Sequence, residues 1–219
     1  MGAADLSAST PAEIAELLRE AKHLGLTLSD SALNRFRVYI DTLLLWRSRL
    51  SLTAAVTAHE IVGSHILDSL ALCRFIREGM RVADLGSGAG FPGIPLAIAC
   101  GYAHVSLVES RRKKANFLRE VLRAAELANA EVIEERAEQL ADHISTPWDL
   151  IVSRAVWALS EFLTISEALL ATGGLVIAMK GPKVIEEVRT YNGRLVQADV
   201  FDYGLPSGAR HRLLLYFKP

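Results

Sequence analysis

The chain has 219 residues, 51% of them hydrophobic and 22% charged, with a formal net charge of −1. That is ordinary globular composition with ample material for a core, and it excludes a protein that holds nucleic acid by its overall charge; any such surface must be local. Cys73 and Cys100 form no Cys-x-x-Cys pair, which excludes a disulfide framework and predicts a reducing compartment.

The length suits one large α/β domain, or such a domain with a helical extension. Met1 to Leu6 lacks the basic and apolar blocks of a signal peptide, and Leu6 stands where a myristoylation signal needs Ser or Thr. The longest apolar stretches, around 91–103 and 168–179, are broken by Gly and Pro and are too short to span a bilayer. A soluble cytoplasmic protein is expected.

Thr10-Pro11-Ala12-Glu13 has the form of a capping box with proline at the first helical position. The helix it opens carries Ile14, Leu17, Leu18 and Ala21 on one face and ends at Gly25. A second helix is predicted from Ser29, with Leu33, Phe36, Ile40, Leu43, Arg47 and Leu50 spaced by threes and fours. Burying that stripe requires the two helices to pack on each other and on the later domain. A short connection through Thr53 to Thr57 leads into helical sequence that includes His65 to Leu70. Residues 1–80 are thus expected to be a helical extension, and 81–219 the main domain.

From Arg81 strands and helices alternate. Val82 to Leu85 read as a buried strand, and Gly86, Gly88 and Gly90 follow, removing side chains so that the backbone turns sharply and a ligand can lie against bare amides. Pro92 suits the first turn of the next helix, which stops near Gly101. A strand, a glycine turn and a helix start together form a site for an anionic or zwitterionic ligand. Further strands are predicted at His104–Val108, Ala130–Ile133, Leu150–Ser153 and Leu175–Met179, with helices at Lys113–Ala125, near Glu138–Leu140 and at Leu159–Leu170. Val196–Tyr203 and Arg212–Phe217 should close the chain as an antiparallel pair at one edge of the sheet. This is an α/β, doubly wound, mostly parallel sheet covered on both faces.

Two ligand classes use such a turn. Gly88-x-Gly90-x-x-Gly93 satisfies the dinucleotide fingerprint, but there the first glycine should follow the strand directly, and here it lies three residues beyond Leu85. Asp84-x-Gly86-x-Gly88-x-Gly90 fits better and resembles the first motif of S-adenosylmethionine (AdoMet) methyltransferases. Glu109, at the end of the next strand, is placed to accept hydrogen bonds from a ribose diol, which both cofactors possess. Asp84, Gly86, Gly88, Gly90 and Glu109 are therefore candidate cofactor residues.

Ligands in such sheets bind beyond the carboxyl ends of the strands. Glu134 to Glu138 follow the third strand, where backbone or acid groups suit an adenine amino group. Ser153-Arg154-Ala155-Val156-Trp157 follow the fourth, and Lys180-Gly181-Pro182 the fifth. A cation just after a buried strand is costly unless paired, so Arg154 either meets a carboxylate or phosphate of a ligand or forms a structural ion pair, with Glu138 or Asp149 as partner. The Asp/Asn-Pro-Pro-aromatic motif that grips an exocyclic amine is absent after this strand, and neither cysteine stands in the context of a pyrimidine-methylating nucleophile. A ring nitrogen such as guanine N7 needs neither device, because it presents a lone pair and carries no proton.

Trp46 to Thr53, His65-Ile66-Leu67-Asp68-Ser69-Leu70, Asp84 to Pro95, Ser153-Arg154-Ala155 and Lys180-Gly181 occur in this order, an arrangement that resembles the bacterial ribosomal RNA small-subunit methyltransferase G family, formerly glucose-inhibited division protein B. The resemblance covers about 40–182, with a weaker echo at Arg210-His211-Arg212. It implies the seven-stranded Rossmann-like AdoMet-dependent methyltransferase fold and methylation of N7 of a guanine in the decoding-centre loop of 16S ribosomal RNA. It also implies cofactor contacts at Gly86, Phe91, Ala137, Glu138 and Arg154. Ser51 stands where the family usually has Asn, and Ser64 where it has a basic residue.

Basic residues cluster despite the neutral total: Arg111 to Lys114 with Arg119 and Arg123, and Arg35, Arg37, Arg47 and Arg49 beside Trp46. Such runs are either solvated faces or a phosphate-facing surface. Arg111, Arg112 and Lys113, with Arg136, Lys180 and His65, are the candidate RNA contacts, and Arg154 the candidate catalytic residue. His65 and Asp68 share a helix face as a buried pair, a metal pair or a substrate contact; with the other histidines scattered, no metal is expected. The expected partner is 16S ribosomal RNA or the small ribosomal subunit, met by a monomer away from membranes. Two other readings are a nicotinamide-dependent oxidoreductase and a non-catalytic AdoMet-fold assembly factor that binds ribosomal RNA.

Overall fold

The structure, a computed structural model, describes residues 10–47, 49–154, 157–180, 191–205, 208 and 210–219. The capping box forms as the sequence predicts: Thr10 N donates to Glu13 Oε2 at 2.9 Å and Thr10 Oγ1 accepts from Ala12 N at 3.3 Å, opening α1 (Pro11–His23). Helix α2 (Asp30–Arg47) stops short of Leu50, and the Arg49 amide closes a tighter i→i−3 turn on the Trp46 carbonyl at 2.9 Å. Arg49 therefore lies beyond the helix, a correction to the sequence reading. The helical stretch before the sheet runs as α3 (Ala58–Ile61), a π-helical turn over Val62–Ile66 and α4 (Leu67–Leu70). His65 sits in that widened turn.

Alternation of β1 (Arg81–Leu85), α5 (Gly93–Ala99), β2 (His104–Val108), α6 (Arg112–Ala124) and β3 (Ala130–Ile133) follows. A 3₁₀ turn at Ala137–Asp142 precedes β4 (Trp148–Arg154), α7 (Leu159–Leu169), β5 (Leu170–Lys180), β6 (Val196–Gly204) and β7 (Arg210–Phe217). These form a seven-stranded sheet in the order β3-β2-β1-β4-β5-β7-β6. The pairs from β3 through to β5 are parallel, while β7 runs antiparallel to both β5 and β6. The strand order reverses between β1 and β4, so the loops after β1, β2 and β4 open on one crevice.

Alternation along the strands splits the core in two. On one face Val82, Leu107, Leu150 and Val152 pack with Leu17, Phe36 and Ile40 of the first helices and with Ile94 and Phe117. On the other, Ala83, Leu85 and Ile151 pack under Leu159, Phe162 and Leu163 of α7. The N-terminal helices thus share the core of the sheet's first face. Trp46 meets Phe117 with ring centroids 5.9 Å apart, which brings the end of α2 beside α6.

Candidate cofactor and RNA site

Gly86, Gly88 and Gly90 adopt φ of 72°, 57° and 96°, the left-handed region that favours glycine. The amides of Gly86 and Ser87 both donate to the Val108 carbonyl, at 2.9 and 3.0 Å, fastening the turn to the end of β2. Helix α5 packs tightly on β1: a Cβ on Gly93 would lie 2.2 Å from Leu107 and 2.8 Å from an oxygen of Asp84.

Glu109, only 6% exposed, holds the facing wall. Its carboxylate accepts from Gly88 N at 3.0 Å and from Arg111 N at 2.8 Å. The cavity beside it, about 290 Å³, is lined by Gly86, Gly88, Glu109, Arg111, Arg136, Ala137 and Glu138 from the sequence-predicted set. Val108, Ser110, Lys114, Glu135 and Trp157 complete it. Trp157 was placed by the sequence in the loop after β4 but given no role; its indole N–H donates to Glu138 at 3.2 Å. A glycine turn without side chains, a carboxylate at the end of β2 and a Glu–Trp pair opposite fit the amino acid, ribose and adenine parts of AdoMet.

Other predicted residues stand elsewhere. Asp84 is wholly buried and outside the cavity lining, which corrects the expectation of direct cofactor contact. Its Oδ2 accepts from Gly93 N at 3.0 Å, so it anchors the start of α5. Burial pushes its carboxyl up to about 7, with the Gly93 hydrogen bond and the Arg154 charge opposing. Gly90 and Phe91 are buried behind the turn. Lys180 Nζ donates to the Trp157 carbonyl at 2.9 Å, tying the end of β5 to the loop after β4. Ala155, Val156, Gly181 and Pro182 lie outside the described residues.

Arg154, at the end of β4, has neither of the partners foreseen for a structural pair. Asp149 accepts from Arg81 N at 2.8 Å, and Glu138 faces Trp157. Instead the Arg154 guanidinium lies 5.0 Å from the Phe91 ring centroid, donates to His65 Nδ1 at 3.0 Å and approaches Asp68 Oδ2 at 3.8 Å. Asp68 is 1% exposed and also receives the Tyr203 hydroxyl and His211 Nδ1, the latter at 2.9 Å. The Asp68 contact raises the pKa of His211. His65 goes the other way: burial, with the Arg154 charge behind it, lowers it to about 4, so it is neutral at physiological pH. The His65–Asp68 pairing is thus a polar cluster around Arg154, and among the described residues no group of His, Cys, Asp and Glu is assembled to hold a metal.

Structure also sorts the basic residues. Arg111, Arg112, Lys113 and Lys114 line a groove of about 400 Å³ with Arg49 and Ser51, and Arg111 and Lys114 are common to the cofactor cavity. Arg119 pairs with Glu134 at 2.6 Å and Arg123 with Glu120 at 2.7 Å. Arg47 reaches the Ala55 carbonyl and Arg37 the Asn34 side chain. Of the basic residues around Trp46, Arg49 alone is among the groove's lining residues.

Strand order, glycine turn and the acid ending β2 define the class: an AdoMet-dependent methyltransferase. Solved structures agree on the fold. TrmN from Thermus thermophilus is 21% identical with a TM-score of 0.56, covering 70% of this chain and 49% of its own. M. jannaschii TYW2, solved in complex with AdoMet, is 17% identical with a TM-score of 0.56, covering 71% and 76%. Residues 32–215 match the family model GidB, rRNA small subunit methyltransferase G. The ribosomal RNA small subunit methyltransferase G of Syntrophus aciditrophicus is 37% identical over 98% of this chain and 93% of its own length. That of Xylella fastidiosa is 41% identical over 81% and 83%. The chain belongs to the rRNA small subunit methyltransferase G family.

Proposed function

We propose that the protein methylates N7 of a guanine in the decoding-centre loop of 16S ribosomal RNA, with AdoMet held by Gly86, Gly88, Glu109, Ala137 and Glu138. The observation that carries this reading is that the cofactor cavity and the basic groove share the wall formed by Arg111 and Lys114. A backbone tracked by the groove delivers its base beside the cofactor. When bound, AdoMet supplies an electrophilic methyl group. Guanine N7 carries a lone pair and no proton, so the chain has no proton to remove and its task is alignment and electrostatics. Arg154, braced by Phe91, His65 and Asp68, fixes a carboxylate or phosphate by its planar fork. Neutral His65 adds no charge against the cation that N7-methylation creates. Arg111, Arg112, Lys113 and Arg136 contact phosphates, and Lys180 serves the RNA from the end of β5. The protein acts as a monomer, without a metal, on the small subunit in the cytoplasm.

The test is methylation of small subunits lacking base modifications, followed by borohydride–aniline cleavage, which cuts at N7-methylguanine. Cleavage at one guanine of the decoding-centre loop is the expected result. AdoMet binding and RNA binding without cleavage would make the chain an assembly factor, and NADH binding in place of AdoMet an oxidoreductase.

A further inference from the structure

Thr53 joins the Arg154 cluster through His65, and its hydrogen bonds constrain what it can offer a ligand. Arg154 can only donate, so the His65 nitrogen 3.0 Å from it, Nδ1, must accept. His65 is neutral, since a second ring proton would face the guanidinium N–H; its depressed pKa agrees. The single ring proton is then on Nε2, which lies 2.7 Å from Thr53 Oγ1 and donates to it. The same oxygen accepts from Ala55 N at 3.1 Å. A hydroxyl has two lone pairs and one proton. Both lone pairs of Thr53 are engaged, and among the described residues no acceptor takes its proton.

Thr53 is half-buried rather than sealed in. Two residues before it, Ser51 lines the basic groove, and behind it the His65 ring lies 4.8 Å from that of Phe91 in the glycine turn. Thr53 thus follows closely on the segment that lines the groove and is hydrogen-bonded to a residue that braces Arg154.

We infer that Thr53 is the group that selects guanine over adenine, its hydroxyl donating to O6 of the base whose N7 is methylated. This rests on the function proposed above. Both purines present N7, but guanine has an acceptor beside it and adenine an amino donor. A hydroxyl with free lone pairs would rotate to suit either base. One whose lone pairs are filled by His65 and Ala55 rewards guanine and leaves the adenine amino group unpaired, and an unpaired buried polar group is where recognition sites gain most discrimination.

The experiment uses the full chain and small-subunit RNA carrying guanine or 2-aminopurine, which keeps N7 and lacks O6, at the modified position. Wild-type protein should methylate the 2-aminopurine RNA about ten- to a hundredfold more slowly in kcat/KM. Thr53→Val should lose a similar factor on guanine and almost nothing further on 2-aminopurine, with AdoMet affinity unchanged; Thr53→Ser should retain the wild-type preference. Nitrogen-15 spectra of His65 should show the Nε2–H tautomer in the wild type, a readout independent of turnover. Equal rates on the two bases, independent losses from the Val variant and the analogue, or an Nδ1–H tautomer would each overturn the inference, the first and last without any variant having to fold. A wild-type protein that modifies no guanine N7 would instead overturn the proposed function, and this inference with it.

Discussion

Replacing Asp84 by Asn should remove a pH dependence from the stability of the fold. The wild-type carboxyl is wholly buried, and burial lifts its pKa from 3.8 to about 7 against the pull of the Gly93 N–H and Arg154. With the folded-state pKa the higher one, the folded protein holds the proton more tightly than the unfolded chain. The stabilising contribution is fully present below about pH 4 and is lost as pH rises through about 7. Linkage over that gap amounts to about 3 kcal/mol between pH 5 and pH 8. For a chain of this size that is roughly 6–12 °C in melting temperature. Asn keeps a carbonyl for the Gly93 N–H but puts an amide where Oδ1 has no partner, at a cost of about 1–3 kcal/mol at any pH. Thermal melts of both proteins at the two pH values separate these effects. The variant should melt below the wild type at pH 5 and close or reverse the gap at pH 8. A constant difference between the two proteins would refute the description of Asp84 as a buried carboxyl that ionises near neutrality.

Arg154→Ala should lower methyl transfer by on the order of a hundredfold with little change in melting temperature, since Asp68 keeps Tyr203 and His211. Arg154→Lys should also be impaired, because an ammonium lacks the fork; full turnover in either would return Arg154 to a structural pair. Changing Arg111 and Arg112 together to Ala should weaken RNA binding and flatten its salt dependence by about one unit of slope for each phosphate no longer neutralised; an unchanged slope would make the cluster a solvated face. Glu109→Ala leaves the amides of Gly88 and Arg111 without their acceptor and should weaken AdoMet binding about tenfold or more by calorimetry. Unchanged affinity would detach Glu109 from the cofactor.

Most of the fold was legible in the sequence because its signals are local. A capping box is written within a few residues, β/α alternation shows as a change of hydrophobic period, and glycines after a short buried strand mark a turn that few other residues can make. These placed Gly86, Gly88 and Glu109 at the ends of neighbouring strands, and the cavity forms between them. Burial of the Asp84 side chain was not legible: an acid next to the end of a strand reads as a ligand contact whether it faces the cavity or the core. The end of α2 was also hidden, since Leu50 keeps the apolar spacing after the backbone has turned back on Trp46.

Charge partners were the least legible part, because ion pairs form through space. Nothing local distinguishes Arg119, spent on Glu134, from Arg112, which lines the groove. Arg154 was identifiable by its place at the end of β4, but its partners come from the π-helical turn and, through Asp68, from β6 and β7 at the sheet's far edge. By itself the sequence determined the order of elements and the cofactor turn, which depend on backbone conformation and short-range pattern. Only the tertiary structure decided which cations face the groove, that Asp84 is internal, and that His65 and the Ala55 amide meet at the Thr53 hydroxyl. Those properties belong to distances between segments remote in the chain, which are set by how the helices pack on the sheet.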